Sequence, residues 1–379
     1  MVHSMGSMLM LLLLVGCSSS SNDEQQLPQA KIFNLSIAAP DGIVVTRGDI
    51  GNVSSTFEES AINTLDAWVF DNHDYTLISY IHLNNFSFDE DGQRTISMKL
   101  ADDFNSYSGL KVDIYVAANA TASNCGLNFS RATTAAQLNA AGIGTSYFGA
   151  TSPVTSVPYD GLPMSGLLRG QGVNGTSPIF EITTGRVKLV RAVSKMRFIF
   201  CKSISNPPAV SNLSISLKAN TLPNEEYLFL GDVFPTATSH VKTESGYNAA
   251  AIPLVSGINA TNINSYSDPV SYVYNDETGP DYETKINGGI SAGNLSEVGR
   301  FYLRESDKKV EGTIAYTLGT DEQAVEKSVD FSMAAVGDFT RNHTWIVYGY
   351  FLGSGNLMLN MVNVRSWKEE SETDKIYNW

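Results

Sequence analysis

The stretch Ile62-Asn63-Thr64-Leu65-Asp66-Ala67-Trp68-Val69-Phe70-Asp71 alternates with the two-residue period of an extended strand. Leu65, Ala67 and Val69 share one face and Trp68 and Phe70 the other, because successive side chains of a strand point to opposite sides. Asp71-Asn72-His73-Asp74 reads as the turn that ends it. Lys111 to Ala118 repeats the pattern, setting Val112, Ile114 and Val116 against Lys111, Asp113 and Tyr115. Between the two lie a strand around Tyr75 to Leu83, a turn at Asp89-Glu90-Asp91-Gly92 and a strand from Arg94 to Leu100.

Working outward, strand signals recur to the end of the chain. Val187 to Lys202 reads as one long apolar strand. Leu213 to Leu217, Glu226 to Leu230, Gly299 to Leu303, Lys309 to Leu318, Trp345 to Phe351 and Asn356 to Val364 follow. Only Thr133 to Ala141 has a helical pattern, with Thr133 or Thr134 as its cap. Gly170 to Ser177, rich in Gly, Asn and Ser, reads as a linker with a domain boundary just after it. Many short strands with turns at close spacing and almost no helix give an all-β fold of two tandem β-sandwiches.

The N-terminus has a different character. Met8 to Val15 is an apolar run too short for a membrane-spanning helix and of the length of a secretory core region. Leu14-Val15-Gly16-Cys17, followed by Ser18 to Ser21, looks like a bacterial lipobox, in which Cys17 takes the lipid and becomes the mature N-terminus. Residues 1–16 are then signal peptide, and Cys17 ties the protein to the outer membrane. The polar run from Ser18 to Ala30 is a tether. Beyond it, Ile32, Leu35 and Ile37, then Ile43, Val44 and Val45, form strand-like runs around the turn Pro40-Asp41-Gly42.

Composition narrows the function classes. Hydrophobic residues make up 42% of the 379, enough for packed cores. A net charge of −14 with no basic stripe argues against a nucleic-acid partner. The histidines, His3, His73, His82, His240 and His343, form no metal-ligand spacing, and Asp89 to Gly92 lacks the later ligands of a calcium loop. No nucleophile elbow or dinucleotide loop is present, so no catalytic residue, metal or cofactor is assigned. Cys125 and Cys201 read as two unrelated thiols rather than a disulfide. Trp68, Trp345 and Trp367 could stack on sugars, which gives an alternative role as a glycan-binding surface lipoprotein, although aromatics on strands usually belong to the core.

Six segments together carry a resemblance. They are Asn63 to Asp71, Val112 to Ala120, Leu162-Pro163-Met164-Ser165-Gly166, Arg191 to Met196, Phe301 to Glu305, and Arg341 to Tyr348. In this order, behind a lipobox, they resemble the fimbrillin superfamily of Bacteroidales type V pili. The resemblance implies two transthyretin-like Greek-key sandwiches, here residues 48–184 and 185–379, and a lipidated tether with a removable first strand over 17–47. It implies a cell-surface fimbrial subunit, as stalk, tip or anchor, whose partners are other fimbrial subunits joined by donor-strand exchange. It also implies a trypsin-like protease that cuts after an Arg and frees the first strand. Arg47-Gly48, thirty residues beyond Cys17, is suitably placed. Leu357, Leu359 and Met361, alternating with Met358, Asn360, Val362 and Val364, form the last strand and a candidate donor. The tail after Trp367 offers only Ile376, Tyr377 and Trp379 as groove fillers, which favours a tip or anchor over a stalk.

Overall fold

The computed structural model describes residues 30–40, 59, 61–89, 91–100, 109–144, 155, 157–158, 160–183, 185–204, 209–229, 241–259, 262–275, 281–319, 324–332 and 339–364. Cys17, Ile43, Val44, Val45, Arg47, Gly48, Trp367 and the tail lie outside them. The fold is all-β, as the alternation requires. β1 (Ile32–Ala38), β2 (Ile62–Asp71), β3 (Leu77–Phe86), β4 (Gln93–Lys99) and β5 (Lys111–Ala118) are followed by two short helices, α1 (Ala122–Cys125) and α2 (Ala135–Ala140). Thr134 caps α2 through a reciprocal capping box with Gln137. Then come β6 (Gly142–Gly144), β7 (Met164–Thr176), β8 (Ile179–Ile182), β9 (Val187–Lys188) and β10 (Val190–Arg191).

These strands run in the order β3-β2-β5-β7-β8-β1-β4, with β9 on β1 and β10 on β7. β7 turns the sheet over on itself: its first part pairs with β5, and Val173 to Thr176 pair with β8. The two halves face each other across Phe33, Leu35, Ile37, Leu65, Val69, Ile96, Met98, Ile114, Val116 and Phe180. At Gly175 the backbone takes φ +109, and a Cβ there would stand 2.4 Å from the Ile179 carbonyl oxygen, so the turn into β8 needs glycine. The opposite face of β2 is covered as well. Trp68 and Phe70 pack with Tyr115, Leu138, Leu162, Leu228 and Tyr302.

The second half comprises β11 (Ser194–Ser203), β12 (Val210–Leu217), β13 (Glu225–Tyr227), β14 (Ile252–Ile258), β15 (Ser265–Tyr266), α3 (Tyr282–Ser291), β16 (Ser296–Leu303), β17 (Glu311–Leu318), β18 (Val325–Ser332), β19 (Thr344–Phe351) and β20 (Leu357–Val364). A sheet β15-β11-β19-β20, with β16 also on β11, packs on a sheet β14-β12-β17-β18. Met196, Phe198, Phe200, Leu213, Ile215, Ile314, Trp345 and Val347 fill the space between them.

Four readings are corrected here. Gly170 to Thr176 is strand, not linker, because its backbone is needed by β5 and then β8. Val187 to Lys202 is three strands in two sheets, broken at Leu189 and at Ala192-Val193, so pairing with the first sheet runs on to Arg191. Glu226 to Leu230 shrinks to the short β13, which reaches across to pair with β6. Finally, α3 is a helix that the sequence reading missed.

Candidate functional site

β1 is the part of the fold whose placement bears on function. Phe33 is 2% exposed and Leu35 and Ile37 are fully buried, whereas Ile32, Asn34 and Ser36 alternate with them and are half-buried. The sequence reading named Ile32, Leu35 and Ile37; strand parity gives the inward place to Phe33 and turns Ile32 away. The alternation Phe33, Leu35, Ile37 was the available signal.

β1 is held along both edges. On one side all seven residues pair antiparallel with β4, from Ile32 opposite Lys99 to Ala38 opposite Gln93. On the other it runs parallel to β8, Ile32 to Asn34 opposite Ile179 to Glu181, and then to β9. The Ile32 amide donates to the Pro178 carbonyl at 2.8 Å, and the Leu189 amide to the Ala38 carbonyl at 3.0 Å. Its outer face is lightly polar: the Ser97 hydroxyl donates to Asn34 Oδ1 at 2.8 Å, and the Ser36 and Thr95 hydroxyls meet at 3.0 Å. Taking β1 away would expose three apolar seats and two unpaired strand edges.

The chain is fastened again before β2. The Glu59 carboxylate is 1% exposed and accepts from Lys195 Nζ at 3.1 Å and from the Tyr302 hydroxyl, while Arg191 Nε donates to its carbonyl at 3.1 Å. Asn119, with φ 55, grips the next residues: its amide oxygen accepts from Asn63 N at 2.8 Å, and its Nδ2 donates to the carbonyls of Ala61 and Leu162. The chain between β1 and β2 is thus anchored at its far end independently of β1.

Buried charge gathers where the two halves meet. Arg341 Nε donates to Glu305 Oε1 at 2.8 Å, its other nitrogens to the carbonyls of Leu228 and Tyr227, and Glu226 accepts from the Glu305 amide. Burial pushes the Glu226 carboxyl up to about 8, with Arg341 acting against it and Glu305 reinforcing it. Around Lys195 the balance is reversed. Burial would raise Glu283 and Glu297, but Lys195 and Arg197 beside the first and Arg197 and Arg300 beside the second hold both below the ordinary carboxylate value. Lys195, Glu305 and Arg341 lie in the segments that carry the resemblance, Arg191 to Met196, Phe301 to Glu305 and Arg341 to Tyr348, whereas Glu226, Arg197, Glu283, Glu297 and Arg300 lie outside them.

The remaining candidates separate. Trp68 is fully buried with its indole N–H on the Ser130 carbonyl, and Trp345 is 4% exposed, so neither presents a ring face to a sugar. Cys125 and Cys201 are buried free thiols, raised by burial to about 12 and about 11. His82 sits on Asp66, which also accepts from the Tyr80 hydroxyl. Among the described residues no group of His, Cys, Asp and Glu could hold a metal ion. In β20, Leu357 is buried, Leu359 and Met361 are partly buried against the core, Val362 is buried on the opposite face, and Val364 pairs with Thr344.

Comparison with known proteins bears on β1 directly. A family model described as Major fimbrial subunit protein (FimA) matches residues 34–185, the span from β1 to just beyond β8. The structure is similar to a candidate cell-adhesion protein from Parabacteroides distasonis, with 12% identity, 90% of this chain and 99% of that one covered, and a TM-score of 0.50. A candidate cell-adhesion protein from Bacteroides eggerthii gives 12%, 89% and 96%, and 0.49. The tip fimbrial protein Mfa3 from Porphyromonas gingivalis gives 13%, 88% and 98%, and 0.44. No curated protein matches the sequence. The family model bears out the fimbrial resemblance read from the residues over 34–185, and the Parabacteroides likeness shows a shared fold.

Proposed function

We propose that this chain is a structural subunit of a cell-surface fimbria, that adhesion is its biological role, and that β1 is a provisional strand which another subunit's strand replaces. The observation that carries this reading is the seating of β1. Phe33, Leu35 and Ile37 fill the first core, yet among the described residues the strand is the first of its sheet in the chain and its ladders run to β4, β8 and β9. A foreign strand of the same alternation would complete the same ladders and fill the same seats.

In this reading Cys17 carries the lipid that holds the precursor on the outer membrane, and a trypsin-like protease cuts between Arg47 and Gly48. Arg47 is the only Lys or Arg between Lys31 and Arg94, so such a protease has a single choice there. Cutting discards β1 and the lipid together; a tip or stalk subunit is cut, and an anchor keeps both. The tail after Trp367 is a poor donor, which favours tip or anchor. The test is limited trypsin digestion of the chain from Ser18. The expected result is one early cut after Arg47, loss of β1, and uptake of a synthetic Lys31–Ala39 peptide. A cut chain that keeps β1 through gel filtration, or unfolds without taking up the peptide, overturns the proposal.

A further inference from the structure

Side chains from β5, β7, α2 and the β2–β3 turn meet at the rim of the core that holds Trp68 and Phe70, clear of β1 and its ladders. β5 brings Asp113 and Tyr115, which stand opposite Phe70 and Trp68. Beside Asp113 the β7 ladder slips: Gln171 pairs with Val112 and Leu168 with Ile114, so Arg169 and Gly170 together face one residue. Such a bulge re-aims a side chain. The Gly170 amide, in a backbone of φ +61, donates to Asp113 Oδ1 at 2.8 Å, and Asn72 Nδ2 donates to the same oxygen at 2.6 Å. Arg169 is turned across Tyr115, its guanidinium carbon 5.8 Å from the ring centre, and both side chains donate to Asn139 Oδ1 at 2.9 Å.

Two features of this cluster are not explained by folding. Asp113 is fully buried, yet its Oδ2 has no hydrogen-bond partner among the described residues, and Arg169 Nη1 stands 3.6 Å from it. That separation is too long for a hydrogen bond, but one hydroxyl oxygen can lie about 2.8 Å from both atoms, accepting from the first and donating to the second. A buried carboxylate oxygen without a donor is costly. The second feature is Tyr75. It sits at φ 57 in the turn, its amide donating to the Asp71 carbonyl at 3.0 Å, a conformation that suits Gly or Asn and strains a bulky side chain. Its ring is 49% exposed, so core packing does not account for it. Burial raises the Tyr115 hydroxyl, Arg169 lowers it, and Asp113 and Tyr75 add to the rise, which puts Tyr75 within electrostatic reach of the cluster.

The chemistry of these groups defines a ligand. Asp113 accepts, Arg169 donates from a side chain 26% exposed, exposed Asn139 has its amide nitrogen to donate, and Tyr75 offers a flat apolar face. The charges of Asp113 and Arg169 cancel, and Asp74 in the same turn adds a negative one, so an anion is not favoured. Hydroxyls that both donate and accept, on a ring with an apolar face, match all four groups. We propose that Tyr75, Asp113, Arg169 and Asn139 form a binding site for a neutral saccharide, with one hydroxyl bridging Asp113 Oδ2 and Arg169 Nη1 and the sugar ring lying on Tyr75. Arg169 covers Asp113 and, being partly exposed, turns aside to admit the hydroxyl. The inference deepens the adhesive role proposed above and rests on it for its biological meaning, but it does not depend on the exchange of β1.

The test uses the uncut chain from Ser18 to Trp379. Labelled protein is applied to an array of N-acetyllactosamine, mannobiose, cellobiose and xylobiose, with sialyllactose and a heparin disaccharide as anionic controls. The neutral glycan retained most strongly is then titrated by calorimetry. Tyr75→Gly binds it about tenfold more weakly or worse while melting no lower than the parent, because Gly relieves the backbone. Asn139→Asp keeps the acceptor for Tyr115 and Arg169, removes only the amide donor, and weakens binding severalfold. Retention of the anionic glycans alone or of none, unchanged binding in either variant, or a fall in Tyr75→Gly stability that accompanies the loss of binding overturns the proposal. None of these outcomes bears on strand exchange, which is read on the cut chain.

Discussion

Replacing Leu35 by Ala in the strand that fills the first sandwich is the sharpest probe of how β1 is held. Leu35 is fully buried among Leu65, Val69, Ile96, Met98 and Ile114. Truncating a buried Leu to Ala removes its transfer energy and leaves a cavity, about 2 to 5 kcal/mol in total. Each 1.4 kcal/mol is tenfold in affinity, so a Lys31–Ala39 peptide carrying the change binds roughly 30- to 4,000-fold more weakly to a chain beginning at Gly48. The internal control is Ser36, whose hydroxyl meets Thr95 on the half-buried outer face. Ser36→Ala costs about 1 kcal/mol or less, under roughly tenfold. Fluorescence anisotropy with labelled peptides measures both. If the Leu35→Ala and Ser36→Ala peptides bind alike, affinity comes from the backbone ladders alone and the reasoning from three apolar seats fails.

Three further outcomes follow from the buried polar groups. Asn119→Ala strips partners from Asn63 N, Ala61 O and Leu162 O in a left-handed backbone, and lowers stability by roughly 2 to 4 kcal/mol in urea titration. Asn119→Gly, which relieves only the backbone, recovers little of it. Arg341→Met leaves Glu305 and the carbonyls of Leu228 and Tyr227 without their donor, a loss of about 3 to 5 kcal/mol by the same assay. For pH, Glu226 has a folded value of about 8 against 4.5 ordinarily, so the folded state holds a proton that the unfolded state releases. Its contribution is complete below 4.5 and is lost as pH rises through about 8. Glu226→Gln abolishes that decline, and the stability difference between about pH 5 and pH 8 shrinks relative to the parent chain. Glu283 and Glu297, held low, contribute oppositely, and their share is lost on acidification in both chains.

What the sequence disclosed depended on how local the determinant was. β2 and β5 emerged with their true bounds because alternation needs only neighbouring residues. β7 did not, since Gly170 to Gly175 carries the composition of a loop and becomes strand only where β5 and β8 supply partners. α3 was hidden for a related reason. Gly288 and Gly289 lower its propensity, yet Gly289 is tight against Tyr272 and Leu295, where a Cβ would come within 2.7 Å. Glu226 and Arg341 are brought together by tertiary structure, and no spacing rule anticipates a pair so far apart. At β1 the sequence supplied the strand, and the alternation Phe33, Leu35, Ile37 carried its parity, but Ile32 is as apolar as Phe33 and was named in its place.

The ladders also say why β1, rather than a neighbour, suits replacement. β2, β3, β5, β7 and β8 are paired with one another in series, and none of those ladders passes through β1. β4 and β9 are different, for β1 is the ladder partner of each. With β1 gone, β4 keeps the packing of Ile96 and Met98 and the bond from the Ser79 hydroxyl to the Lys99 carbonyl at 2.7 Å. Those contacts hold β4 near β3 but leave its backbone groups facing an empty lane. A lane walled by β4 on one side and β8 and β9 on the other accepts a strand of one width and one alternation. In the proposed exchange the ladders from β3 to β8 would remain while the β4 edge went unsatisfied, and an unsatisfied edge favours filling the lane over leaving it empty.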